Sequence, residues 1–277
     1  MEAAQAAGYL LRNDSQELQR LERQGALLRE PSALLLRQAG ISAGMRVLDL
    51  GTAIGELAFL AAELVGPEGE VVGVDQSADA LELAARRAAA SGLGNVSFQQ
   101  ADITSWEPPD GFDAVIGRLV LIYVEDPAAI VRRHALALRP GGVYVALEYD
   151  MPATRSIPPT ALGTRAIEWL RRAFEAGRVD VSLGARLGAI LAEAELPSPK
   201  VVGIQAYLAP TDSVAPAYLA GIVQSLLPVI ERAGIATREE VGIETLERRL
   251  AAELAEYQAV IAPPTLVGAW ARYGLTN

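Results

Sequence analysis

The sequence predicts a doubly wound α/β fold: a mostly parallel seven-stranded sheet with helices on both faces. Three observations point there. Short apolar runs alternate with helical patterns between residues 46 and 149. The first run, 47–50, ends in a glycine turn, Gly51-Thr52-Ala53-Ile54-Gly55, that leads directly into a helical pattern. The second run, 70–75, closes on an acid, Asp75.

Taken in order, residues 9–38 read as helical, with an interrupted leucine stripe and with Pro31 starting a second helix. This stretch belongs to a helical leader, 1–40, ahead of a core spanning 41–277. Strand 47–50, helix 56–65 and strand 70–75 follow. Ser77 N-caps a helix over 78–91, since a serine oxygen can accept an otherwise unpaired first-turn N–H. Strands at 95–100 and 112–117 come next, and Asp126-Pro127 opens a helix in the cap-then-proline order. Pro140-Gly141-Gly142 turns into a strand at 143–148. Beyond Pro152, Pro158 and Pro159, helices are expected at 160–177, 183–194, 212–233 and 237–258, with strands at 200–208 and 265–273. The segments at about 152–180 and 212–260 then read as helical lid insertions late in one sheet.

Composition narrows the function. Hydrophobic residues make up 51% of 277, enough for a large core, and aromatics only 5%, so that core is mainly aliphatic. The net charge is −10, and arginines are interleaved with glutamates. A phosphate backbone asks for a basic patch, so nucleic acid is not an expected partner. With no cysteine, disulfides, thiolate metal sites and cysteine nucleophiles are excluded. No basic segment precedes an apolar run and no stretch reads as long enough to span a bilayer, so a soluble, cytoplasmic chain without a membrane partner is expected.

The chemistry concentrates in three places. Gly51 and Gly55 let backbone approach a ligand where a Cβ would intrude. Asp75 closes the second strand at the spacing of an acid that accepts ribose hydroxyls. Gln99-Gln100-Ala101-Asp102-Ile103 follows the third strand, where an acid can accept from an adenine amino group.

This ordered set resembles the class I S-adenosylmethionine (SAM)-dependent methyltransferases, which are Rossmann-like, over residues 46–149. The segment from Phe112 to Tyr123 is similar to the family's fourth-strand segment, and Leu138-Arg139-Pro140-Gly141-Gly142 to its turn before strand five. The leader from Tyr9 to Gln24 resembles the helix that closes over the methionine end of the cofactor in small-molecule members. The resemblance implies SAM as cofactor, held by Tyr9, Gln24, Gly51, Thr52, Ala53, Gly55, Asp75, Gln76, Asp102, Ile103 and Arg118. One departure stands out: the family loop reads G-x-G-x-G, and Ala53 holds its middle position.

Nicotinamide dinucleotides are the rival on this architecture. They favour G-x-G-x-x-G, which here falls on Gly51, Ala53 and Glu56. A glutamate at the helix start repels a pyrophosphate, whereas SAM carries a sulfonium and no phosphate.

Methyl transfer needs an in-line acceptor, exclusion of water and, for some acceptors, a base. The single histidine, His134, falls inside a helix away from the strand ends and is read as structural. From Ile116 at the end of the fourth strand the chain has no acid until Glu125, so the clustered carboxylates of a metal site are missing there and no metal is expected. Glu148 and Tyr123 are the catalytic candidates; Glu148 equally suits a supporting hydrogen bond, and Tyr123 suits packing. Asp49 is assigned to loop geometry.

Tyr218, Ile222, Leu226, Leu227 and Ile230 share one helical face, mainly as core. With Trp169, Phe174 and Trp270 they favour a small, rather apolar organic acceptor, methylated at oxygen or nitrogen. The resemblance and the variable lid suggest secondary metabolism. C-methylation or cyclisation with the same cofactor, a non-catalytic SAM-binding partner subunit, and a homodimer through 212–258 stay open.

Overall fold

A computed structural model describes residues 15–210 and 214–274. The chain divides into two compact units. One comprises Gly25–Glu148, Leu183–Gly203 and Leu266–Asn277, within the described residues. The other comprises Tyr149–Ser182 and Ile204–Thr265 together with the described part of Met1–Gln24.

The first unit is built on a seven-stranded sheet in the order β3-β2-β1-β4-β5-β9-β7. Its strands are β1 (Arg46–Leu50), β2 (Glu70–Asp75), β3 (Val96–Gln100), β4 (Phe112–Arg118), β5 (Leu138–Asp150), β7 (Lys200–Ile204) and β9 (Thr265–Arg272). Pairings β1–β2, β2–β3, β1–β4 and β4–β5 are parallel. β9 runs back along β5: Gly141 N–H donates to Tyr273 O and Tyr273 N–H to Gly142 O, both at 2.8 Å, while Gly268 packs on Leu147. Strand order reverses between β1 and β4, so a crevice opens outside their carboxyl ends.

Helices cover both faces because the strand side chains alternate. Leu48, Leu50, Val74, Tyr144, Ala146 and Val267 share one core with Ile130 and Val131 of α4 (Pro127–Ala135) and Leu187 and Leu191 of α6 (Leu183–Glu193). On the other face Leu35 of α1 (Ser15–Ala39) meets Gly268. There Phe59 of α2 (Glu56–Val65) stands edge-on to Phe98 of β3, with centroids 6.3 Å apart. As expected, Ser77 accepts Ala80 N–H to cap α3 (Ala78–Ala90), and Asp126 accepts Ala129 N–H to cap α4.

Several expectations need correction. Pro31 does not start a helix but lies inside the continuous α1; Ser32, Ala33, Leu35 and Leu36 are buried, and that packing outweighs the hydrogen bond a proline forfeits. The Pro140-Gly141-Gly142 segment does not precede β5 but lies within it. The β4 register jumps from Phe112↔Leu138 to Ala114↔Val143, and Gly141 takes φ 82° to absorb the extra residues. The strand expected at 200–208 stops at Ile204, and Leu208 instead bridges to Ile261.

The second unit was read as helical insertions, and its main elements are helices: α5 (Ala161–Ala176), α7 (Val214–Arg232), α8 (Arg238–Val241) and α9 (Ile243–Glu256). It also holds a two-stranded antiparallel ribbon, β6 (Arg155–Ile157) with β8 (Val260–Ala262), which strands of three residues leave too short to show a period. Gly242, at φ 58°, splits the single helix expected over 237–258 into α8 and α9. By length and composition α7 could cross a membrane, contrary to the sequence reading; half of that window is buried in the protein, as in a core helix.

Candidate functional site

The loop between β1 and α2 sits at the point where strand order reverses. It is tied down at Thr52, whose N–H donates to Val74 O at 3.0 Å, and at Gly55, whose N–H donates to Thr52 O at 2.9 Å. Gly51 has φ 65°, and a Cβ there would lie 2.5 Å from Val120 Cγ2. Gly55 has φ 88° and starts α2 with no side-chain cap. Ala53, the departure from the glycine pattern, also adopts a left-handed φ of 46°. Its N–H donates to Asp75 Oδ2 at 2.9 Å, while Ser77 N–H donates to Asp75 Oδ1 at 2.9 Å. Asp75 therefore clamps the loop as well as ending β2.

Beneath the loop lies Asp49, 1% exposed. Neither of its carboxylate oxygens, nor Thr52 Oγ1, makes a hydrogen bond of normal geometry. Burial pushes the Asp49 carboxyl up to about 7, against the neighbouring Thr52 hydroxyl and the charge of Arg118, which lower it. A buried carboxyl with no paired donor suits a cationic guest, because such a group otherwise loses its hydration uncompensated.

Glu56, at the start of α2, pairs with Arg87, which also donates to Ile54 O at 2.7 Å. Its charge is thus partly neutralised, and its power to repel a pyrophosphate is smaller than the sequence suggests.

The remaining cofactor candidates spread along the carboxyl ends of the strands. Gln76 is exposed beyond β2, and its carbonyl accepts from Gln100 Nε2 at 3.0 Å. Asp102 is exposed, with Oδ1 accepting from Thr104 N and Oγ1 at 2.8 and 2.7 Å, beside the buried Ile103. Arg118 ends β4 and donates to Oγ of the fully buried Ser32 of α1 at 3.0 Å. Gln24 is half-buried on α1, and Tyr9 lies outside the described residues.

The two catalytic candidates have different settings. Glu148, placed by sequence at the open end of β5, turns inward and is 0% exposed. Its Oε1 accepts the N–H groups of Val120 at 2.9 Å and Leu121 at 2.7 Å, while Oε2 is buried without a partner. Burial pushes this carboxyl up to about 8, though its backbone donors pull the other way. Tyr123 ends the 3-10 turn Leu121–Tyr123 and is half-buried.

His134 is fully buried on α4, with Nδ1 2.9 Å from Ile130 O and its ring beside Trp106. Burial lowers its pKa, which fits a core residue. Among the described residues no group of three or more His, Asp or Glu side chains is arranged to hold a metal.

The structure thus gathers Gly51, Thr52, Ala53, Gly55, Asp75 and Arg118 around the adjoining ends of β2, β1 and β4. Sequence reasoning missed the strained Leu119, at φ 57°, and the packing of Val120 on Gly51. Nothing in a Leu-Val dipeptide signals either.

A family model described as a methyltransferase domain matches residues 41–176. The ubiquinone/menaquinone biosynthesis C-methyltransferase UbiE of Pseudomonas paraeruginosa is 34% identical over 151 residues, covering 54% of this chain and 56% of that protein. The chain spans about half the length of the curated relatives it matches. In structure it is similar to YcgJ of Bacillus subtilis, with TM-score 0.56, 21% identity and coverage of 88% of this chain and 100% of that one. It is also similar to phosphoethanolamine N-methyltransferase 2 of Haemonchus contortus, solved with phosphomonomethylethanolamine and S-adenosylhomocysteine. There the TM-score is 0.55 and the identity 19%, over 88% of this chain and 52% of that one. At these identities the structural likeness bears on the fold.

Proposed function

We propose that the chain is a class I SAM-dependent methyltransferase that methylates a small, rather apolar organic acceptor without a metal; the methyltransferase-domain model over residues 41–176 and the similarity to UbiE support this reading. The observation that carries this is the loop itself: Gly51, Ala53 and Gly55 all hold left-handed backbone, with Asp75 clamping Ala53 and the unpaired Asp49 below.

Bound SAM supplies a methyl group already activated on a sulfonium. The chain's own residues then have binding and orienting to do. Asp75 keeps lone pairs beyond those given to Ala53 and Ser77, and these accept ribose hydroxyls. Asp102 accepts from the adenine amino group, Ile103 offers the ring an apolar neighbour, and Gln76 and Thr52 border the ribose and the loop. Asp49 answers the positive charge, and Arg118, anchored on Ser32, answers a carboxylate. His134 and Glu148 are too buried to take a proton from an acceptor, so rate enhancement comes chiefly from alignment and exclusion of water.

The UbiE relative is named a C-methyltransferase, which favours carbon over oxygen or nitrogen as the methylated atom. Calorimetry with SAM, S-adenosylhomocysteine and NAD tests the cofactor: binding of NAD alone would overturn the reading. A panel of phenols, amines and carboxylic acids, followed by S-adenosylhomocysteine release and product mass, tests turnover and identifies the accepting atom. Cofactor binding with no turnover on any acceptor would point to a binding subunit.

A further inference from the structure

We infer that Glu148 is a positioning residue for the cofactor loop, acting on it through Val120. The inference rests on the reading of that loop given above.

The chain of contacts is short and lies within one unit. Gly51 has no room for a side chain because Val120 fills the space: an added Cβ would meet Val120 Cγ2 at 2.5 Å and Val120 Cβ at 3.0 Å. The other branch of Val120 lies 3.0 Å from where a Cβ on Gly117 would be. The valine is therefore a wedge between the last turn of β4 and the first glycine of the loop, and any movement of Val120 is felt at Gly51.

What fixes Val120 is less obvious. Leu119, just before it, is in the left-handed region at φ 57°, which a leucine seldom adopts. Such a conformation persists only where surrounding bonds over-determine it. Leu119 N–H donates to Leu147 O at 2.9 Å. The next two N–H groups, of Val120 and Leu121, converge on the single oxygen Glu148 Oε1. One acceptor thus holds the two residues that follow the strained position.

Glu148 does this as an acceptor, not as an ion. Its Oε2 is buried without a hydrogen-bond partner. Burial favours the neutral carboxyl, whose carbonyl oxygen serves two N–H donors as an amide oxygen would.

The test uses the full chain with Glu148→Gln, Glu148→Met and Val120→Ala, each checked for folding by thermal unfolding. Affinity for S-adenosylhomocysteine is read by calorimetry. Gln keeps the acceptor oxygen and is expected to bind within about twofold of the parent. Met keeps the volume but removes the acceptor, so binding weakens about tenfold or more, as loss of hydrogen bonds at a polar group predicts. Val120→Ala weakens binding although Glu148 is intact, and combining it with Glu148→Met adds less than the two losses together.

A folded Met variant that binds like the parent overturns the inference, as does equal loss in Gln and Met, the pattern of a purely structural role. If neither Glu148 variant folds, unchanged affinity in Val120→Ala overturns it and a loss there supports it. Failure of the parent to bind overturns the functional reading itself, and this inference with it.

Discussion

Asp75 Oδ2 accepts the backbone N–H of Ala53 at 2.9 Å, so the acid that ends β2 holds a left-handed alanine in the loop after β1. The same carboxylate is assigned to the ribose, and its removal has two effects. Asp75→Ala is expected to weaken SAM binding by roughly 1.5–3 kcal/mol, the usual worth of hydrogen bonds to a charged group. Calorimetry measures this. Unchanged affinity in a folded variant would remove Asp75 from the ribose.

Ala53 carries backbone strain that a glycine would not. At φ 46° an alanine pays of order 1 kcal/mol, partly offset by the freedom a glycine gains when unfolded. Ala53→Gly is expected to raise the melting temperature by about 2 °C, and Ala53→Val to lower it by several degrees. Scanning calorimetry compares the three.

Stability is expected to fall as the solution is made alkaline. Asp49 and Glu148 have carboxyls raised from 3.8 to about 7 and from 4.5 to about 8, each chiefly by burial. Folding therefore favours their protonated forms. The benefit is full below the unfolded values and is lost as pH rises through the folded ones, by about 1.4 kcal/mol per pH unit for each group while it titrates. Melting temperatures taken between pH 5 and about 8.5 should decline, and Glu148→Gln should flatten part of that slope. A parent curve that rises through this window would refute the assignment.

Glu253 acts in the opposite direction, in the other unit. Burial works to raise its carboxyl, but backbone N–H groups outweigh that and hold it below the usual range. Leu162 N–H lies 2.8 Å from Oε1 and Gly163 N–H 2.9 Å from Oε2, so the side chain caps α5 from outside. Its stabilisation is present above the ordinary glutamate range and fades as pH falls through the folded value. Glu253→Ala should cost about 1–3 kcal/mol at neutral pH, read from denaturant unfolding, and less in acid.

The parts of the fold that the sequence makes legible are those with local causes. Alternating strands and helices, the Ser77 and Asp126 caps and the glycine turn are each specified by neighbouring residues, and the structure contains them. What escaped depends on partners distant in sequence. Pro31 stays helical because residues on the sheet bury its neighbours, and the β5 bulge forms because Gly141 meets Tyr273. The site divides the same way. Asp75 is readable from its spacing, but its hold on Ala53 is not. Glu148 could be placed at a strand end, yet nothing local says that it turns inward toward Val120 and Leu121.

The position of β9 between β5 and β7 has a consequence for how the protein is made. Of the seven sheet strands it is the last to leave the ribosome, yet it is the only neighbour of β7 in that sheet and completes the exposed side of β5. Until residues 265–272 emerge, β7 has nothing to pair with and β5 presents an open row of backbone donors and acceptors. A nascent chain stalled before Thr265 would therefore be a substrate for chaperones and prone to aggregate. Its release from that state should coincide with emergence of the final strand and not with completion of the glycine loop.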